Sequence, residues 1–123
     1  MEDLQKDPDE KRIYGCLGMA AKAGKISSGE TQVLEAIRSG EAALVMTAGD
    51  ASEGTAKKFR DKCSYYEVAL LSFGSKESLG RAIGKDYRSC IAICDMGFAE
   101  RIAELITGSK ELRRIINGED ENS

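Results

Sequence analysis

Residues 43–58, A-L-V-M-T-A-G-D-A-S-E-G-T-A-K-K, decide the fold. Ala43–Ala48 is an uncharged, strand-sized run. Asp50-Ala-Ser-Glu53 has the spacing of a capping box, so a helix is predicted over 52–63. Ala56, Phe59 and Cys63 would face inward, while Lys57, Lys58, Arg60 and Lys62 mostly face out. A buried strand followed at once by an amphipathic helix is half of an α/β unit.

The same alternation continues on both sides. Downstream, the pattern predicts a strand at Val68–Phe73 and a short helix at Ser75–Ile83. A loop over Gly84–Arg88, a strand at Ser89–Cys94 and a helix at Gly97–Ile106 follow, and residues 109–116 add one or two helical turns. Upstream, residues 11–23 place Ile13, Leu17, Ala20 and Ala21 on one helical face, and Gly24 stops that helix. Residues 25–28 are a short extended link or a very short strand. Ser28 or Gly29 caps a second helix reaching about Ser39, with Val33, Leu34 and Ile37 buried, and Gly40 ends it. The only proline, Pro8, lies outside this region. Helices alternating with strands cover both faces of a small, largely parallel or mixed sheet. The expected architecture is α/β, with about four strands in one domain.

Composition narrows the function classes. The 123 residues are 41% hydrophobic and 32% charged, enough apolar material for a core that needs neither disulfide nor metal. No apolar run approaches the ~20 residues that span a bilayer. The first residues, MEDLQKDPDEK, are acidic and polar, unlike a signal or transit peptide, so no membrane partner and a cytoplasmic location are expected. The cysteines at 16, 63, 90 and 94 contain no C-x-x-C pair and are expected to be buried free thiols. Histidine is absent, which removes the commonest general base and a main zinc ligand.

The net charge of −3 hides a polarised distribution. Residues 1–10 hold five acids and one base, and residues 117–123 hold three acids and no base; residues 11–116 keep 17 bases and 13 acids, a net of +4. A mildly basic domain, residues 11–108, is therefore expected after an acidic disordered tail over 1–10. Residues 109–123 would supply the last helical turns and a second acidic tail.

Gly18-M-A-A-K-A-Gly24-Lys25 only superficially suggests a phosphate loop. Five residues separate the glycines where four are needed, and Ile26 follows the lysine. Asp50 and Asp95 each stand between a strand and a helix, where capping is the expected role. No nucleophile–base pair is visible. No catalytic residue, metal ligand or cofactor is expected, and the chain is not expected to be an enzyme.

Several stretches resemble a known superfamily: K-A-G-K-I-S-S-G-E-T-Q-V-L-E-A-I-R (22–38), residues 43–58, D-K-C-S-Y-Y-E-V (61–68), S-L-G-R-A-I-G-K (78–85) and I-A-I-C-D-M-G-F-A (91–99). The likeness spans Lys22 to about Leu105. It is to the kink-turn-binding ribosomal proteins, which include large-subunit proteins seven-Ae and thirty-e. The D-A-S-x-x-T-A-K-K and D-K-C-x-Y-Y stretches look like small bacterial members. The resemblance implies a three-layer α/β/α sandwich. It also implies a structured, kink-turn-like RNA as partner, ribosomal RNA among the candidates, bound by a monomer. In such proteins the start of the second helix and the loop before the last strand contact RNA.

The helix motif of that superfamily, G-x-N-E-x-x-K, falls on Gly29, Glu30, Thr31, Gln32, Val33, Leu34 and Glu35. Gly29 lets RNA approach the backbone. Thr31 keeps a hydrogen-bonding group but lacks the amide of asparagine. Gln32 offers both a donor and an acceptor to a purine edge. Glu35 departs from the pattern, since a carboxylate repels phosphate where the superfamily has lysine, and Glu30 and Asp86 add further acid. Lys25, Arg38, Lys76, Arg81, Lys85 and Arg88 are the compensating candidates, although each is equally at home as a solvated surface base. In the loop Lys85-Asp86-Tyr87-Arg88, Tyr87 would stack on an unpaired base or else close the sheet edge. Two readings follow: an RNA binder, or a protein-interaction module on the same fold that has lost strong RNA binding.

Overall fold

The structure, a computed structural model, describes residues 8–109 and 111–117. The remainder of the two expected acidic tails, residues 1–7 and 118–123, lies outside the described residues. Ten elements follow in order: α1 (Pro8–Lys22), β1 (Ile26–Ser28), α2 (Glu30–Ser39), β2 (Leu44–Thr47), α3 (Glu53–Tyr66), β3 (Ala69–Ser72), α4 (Lys76–Ala82), β4 (Cys90–Ile93), α5 (Met96–Thr107) and α6 (Leu112–Asn117). α1 begins three residues before the expected Lys11. Pro8 opens it, where a missing N–H costs nothing, and Asp9 and Glu10 suit the positive end of its dipole.

The sheet order is β1-β4-β2-β3. β2 and β3 are parallel, while β4 runs antiparallel to both β1 and β2. The sheet is mixed, as one of the two expectations had it. Strand alternation divides the core between its two faces. Leu44, Met46, Ile91 and Ile93 point toward α1, α4 and α5, where Leu17, Leu79 and Ile102 are fully buried. Val45, Cys90 and Ala92 point the other way, onto Val33 and Ile37 of α2 and Phe59 and Cys63 of α3. The result is the three-layer α/β/α sandwich. All four cysteines are free, and only Cys94 is more than marginally exposed.

One capping expectation is corrected. Ser52, not Asp50, caps α3: its Oγ accepts from the Thr55 N–H at 3.1 Å. The Asp50 carboxylate instead accepts from the Lys76 N–H at 2.8 Å, across the turn at the start of α4. Asp95 caps α5 as expected, accepting from the Phe98 N–H at 2.9 Å.

The loop between α4 and β4 rests directly on α4. A β-carbon added at Gly80 would lie 1.4 Å from the Asp86 carbonyl oxygen. Glycine is the one residue that lets the loop backbone come this close.

Two stability predictions follow from backbone geometry. Glu67 closes α3 in the left-handed region, at φ 57° and ψ 49°. Glu67→Gly should raise unfolding free energy by about 1 kcal/mol, measured in urea, because a side chain is disfavoured there. Gly80→Ala should cost about 1–3 kcal/mol, the usual penalty of forced overpacking. It should also shift the amide resonances of residues 84–89 more than those of α5.

Candidate nucleic-acid interface

The strand directions determine which ends meet. β1, β2 and β3 all point one way, and each is followed by a helix starting at that end. The first turns of α2, α3 and α4, together with the loop entering β4, therefore gather at one end of the sheet. α2 and α3 run parallel to each other on the same face.

Gly29 is the pivot. It adopts φ 90° and ψ 153°, a region open essentially only to glycine, and donates its N–H to the Cys90 carbonyl at 3.3 Å. It is the N-cap of α2, yet it has no side chain with which to cap. The first-turn N–H groups of Glu30, Thr31 and Gln32 have no intrahelical acceptor. α3, α4 and α5, by contrast, are each capped by a side chain: Ser52, Ser75 and Asp95. Thr31 and Gln32 are exposed beside the open amino end.

The second half of the site is tied to the first through Arg88. Its Nε donates to Ser28 Oγ at 3.0 Å, its Nη1 to the Tyr87 carbonyl at 2.8 Å, and its backbone N–H to the Lys76 carbonyl at 3.0 Å. Arg88 thus staples β1, the loop and α4 together, while these two side-chain bonds use only part of its five-donor guanidinium. Tyr87 is 68% exposed, which removes the alternative of a ring closing the sheet edge. It lies between two shallow hollows. One is lined by Asp50, Ser75, Lys76 and Glu77, the other by Glu77, Arg81, Lys85 and Asp86.

The acidic residues divide. Glu30 accepts from Lys58 Nζ at 2.7 Å and from Thr55 Oγ1 at 2.8 Å. The hydrogen bond from Lys58, then that from Thr55, holds its carboxyl below the usual range. Glu30 is therefore a pinned ion that ties α2 to α3, with its charge offset locally. Glu35 is exposed and, among the described residues, makes no ion pair. Of the candidate bases, Lys76 and Lys85 flank the loop, and Arg81 is engaged by Glu77 at 2.6 Å. Lys25 and Arg38 are not brought to the site. Lys25 precedes β1, about 10 Å back along the strand from Ser28, and its carbonyl accepts from Cys94 at the opposite end of the sheet. Arg38 closes α2, about 12 Å from its amino end.

Sequence reasoning missed Ser28, Thr55, Lys58 and Gly80, all of which shape the site. All four fall in the stretches that carry the family resemblance, but nothing there marks them as contributors to the site. Among the described residues, no group of three or more cysteines and acids is placed to hold a metal. Burial pushes the Cys63 thiol up to about 12 and Cys90 to about 11, so neither is a nucleophile at neutral pH. A cavity of about 1070 Å³ lies between α3, β3 and α6, away from the open end of α2. No helix among the described residues is long and apolar enough to cross a membrane.

Known proteins are similar to this chain in sequence and in fold. RNA-binding protein YlxQ of Bacillus subtilis (strain 168) is 46% identical over 93 residues, covering 76% of this chain and 93% of that protein. RNA-binding protein YlxQ of Enterococcus faecium is 40% identical over 100 residues, covering 81% and 96%. A solved structure from Bacillus halodurans, described as a protein of unknown function, superposes with a TM-score of 0.75 at 40% identity, covering 77% of this chain and 96% of that one. The family match begins at residue 11, so it reaches back into α1, beyond the Lys22 at which the likeness read from residue motifs starts. Matched over residues 11–103, the chain belongs to the ribosomal protein L7Ae/L30e/S12e/Gadd45 family.

Proposed function

We propose that this protein binds structured RNA, and that the RNA is a kink-turn or a similarly bent, purine-rich motif. It does so without catalysis or cofactor. Relatives named RNA-binding protein, and a family named for ribosomal proteins, support the RNA reading. The observation that carries it is the uncapped amino end of α2, with Gln32 beside it and Tyr87 across the Ser28–Arg88 bridge. A helix amino end offers N–H donors and partial positive charge to phosphate. Gln32 is placed to read a purine edge, and Tyr87 to stack on an unpaired base. Lys76 and Lys85 supply positive charge for phosphates beside the loop. The protein would act as a monomer on RNA of the ribosome or of the translation apparatus.

One observation favours the competing reading, a protein-interaction module on the same fold. Glu35, exposed and without an ion pair among the described residues, presents a carboxylate one turn beyond Gln32. Ionic strength separates the two, since RNA affinity should fall steeply as salt rises.

A mobility-shift titration tests the proposal, using a kink-turn RNA alongside the same RNA with its G·A pairs replaced. The parent protein should prefer the intact motif, and Gln32→Ala should lose that preference. Tyr87→Ala should weaken binding by about 1–3 kcal/mol, the value of one base stack. Glu35→Lys should tighten binding and steepen its salt dependence. Equal binding by the parent and by both alanine variants would overturn the site. No affinity for either RNA would overturn the function.

A further inference from the structure

α3 carries a row of side chains that the proposed contact does not use. Lys58, Lys62 and Tyr65 follow one another at spacings of four and three residues, so they share one face of the helix. Tyr66 stands beside Tyr65, with ring centroids 4.9 Å apart and planes at 78°. Tyr65 is 79% exposed and Tyr66 40%. With Lys58, Asp61 and Lys62 these rings line a shallow hollow of about 420 Å³.

This row is continuous with the RNA end of the molecule. Lys58, at its start, is the residue that grips Glu30 in the first turn of α2. Because α2 and α3 run parallel, the row leads away from that end and reaches Tyr65 about 10 Å further along. That distance is about three nucleotides at a stacked spacing of about 3.4 Å. The charge is suited to a polyanion. Lys57 is paired with Asp61 at 2.8 Å, but among the described residues Lys62 and Arg60 make no ion pair. Two lysines leading to a pair of exposed tyrosines match a single strand, whose bases are free to stack. They do not match a duplex, whose base faces are hidden.

We infer that this face of α3 is a second RNA contact, taking two or three unpaired nucleotides that leave the bent motif seated on α2. Lys62 holds a phosphate and Tyr65 stacks under a base. The inference rests on the RNA-binding reading above and extends it to the flanking strand.

The test uses the full chain and three RNAs in fluorescence anisotropy. These are a blunt-ended kink-turn and the same RNA with three unpaired adenosines added at the 5′ or the 3′ end. One of the two extensions should tighten binding about tenfold. Tyr65→Ala and Lys62→Ala should abolish most of that gain while binding the blunt RNA like the parent, and Tyr65→Phe should keep it. Absence of a gain from either extension overturns the inference and leaves the primary function standing, as does a gain that survives Tyr65→Ala. Failure of the blunt RNA to bind overturns the RNA reading and this inference with it. Self-association of the free protein that Tyr65→Ala abolishes would assign the face to a second copy and also overturn it.

Discussion

The three residue pairs between β1 and β4, Ile26 with Ile93, Ser27 with Ala92 and Ser28 with Ile91, hold the two halves of the site in one frame. β1 ends at the amino terminus of α2, and β4 begins where the 84–89 loop ends. Because the two strands are antiparallel neighbours, those ends are adjacent. The Gly29–Cys90 hydrogen bond extends the ladder by one step, and Arg88 reaches back to Ser28. A strand of three residues is short, and it is retained because its pairing links contacts that lie about sixty residues apart in the chain. Hydrophobic burial on both faces supplies the stability on which this registration depends.

The electrostatics at that end result from opposing elements. Helix amino termini and Lys76, Lys85 and Arg88 attract phosphate, while Glu30, Glu35 and Asp86 oppose it. The opposition is weaker than the acid count suggests. Glu30 already belongs to Lys58 and Thr55, whereas Asp86 is exposed and, among the described residues, makes no ion pair. Glu35 alone remains an exposed acid of the helix motif without an ion pair among the described residues. It therefore bears most directly on how tightly a phosphate backbone can sit.

Much of the fold was legible in the residues, because period-2 and period-3.6 patterns reflect burial directly. Every strand and helix expected from residue 11 onward is present, with ends shifted by up to a few residues. The start of α1 was placed late because a proline and two acids read as tail, when they are also a sound first turn. The wrong cap at α3 has a similar cause. Asp50 and Ser52 are both good caps on composition, and the choice between them depends on the position of α4, which lies 26 residues away. The site was half legible. Local motif spacing pointed to Gly29, Gln32 and Tyr87, but strand direction, which no local pattern encodes, carried Lys25 and Arg38 to the opposite end. Ser28, Lys58 and Gly80 act on the site through tertiary partners, so their local motifs marked them as cap, outward lysine or resemblance residue without showing what they hold in place.

The seat that Gly80 provides for the loop between α4 and β4 separates shape from chemistry. The path of residues 84–88 is determined from beneath, by a helix that the loop side chains do not belong to, and by a backbone hydrogen bond to Lys76. Side chains at 85 and 87 can therefore be exchanged without redrawing the loop. In the proposed RNA-binding role, such an arrangement would let nucleotide preference change through single substitutions on an unchanged scaffold. The mutable letters of the interface are thereby kept apart from the grammar that arranges them.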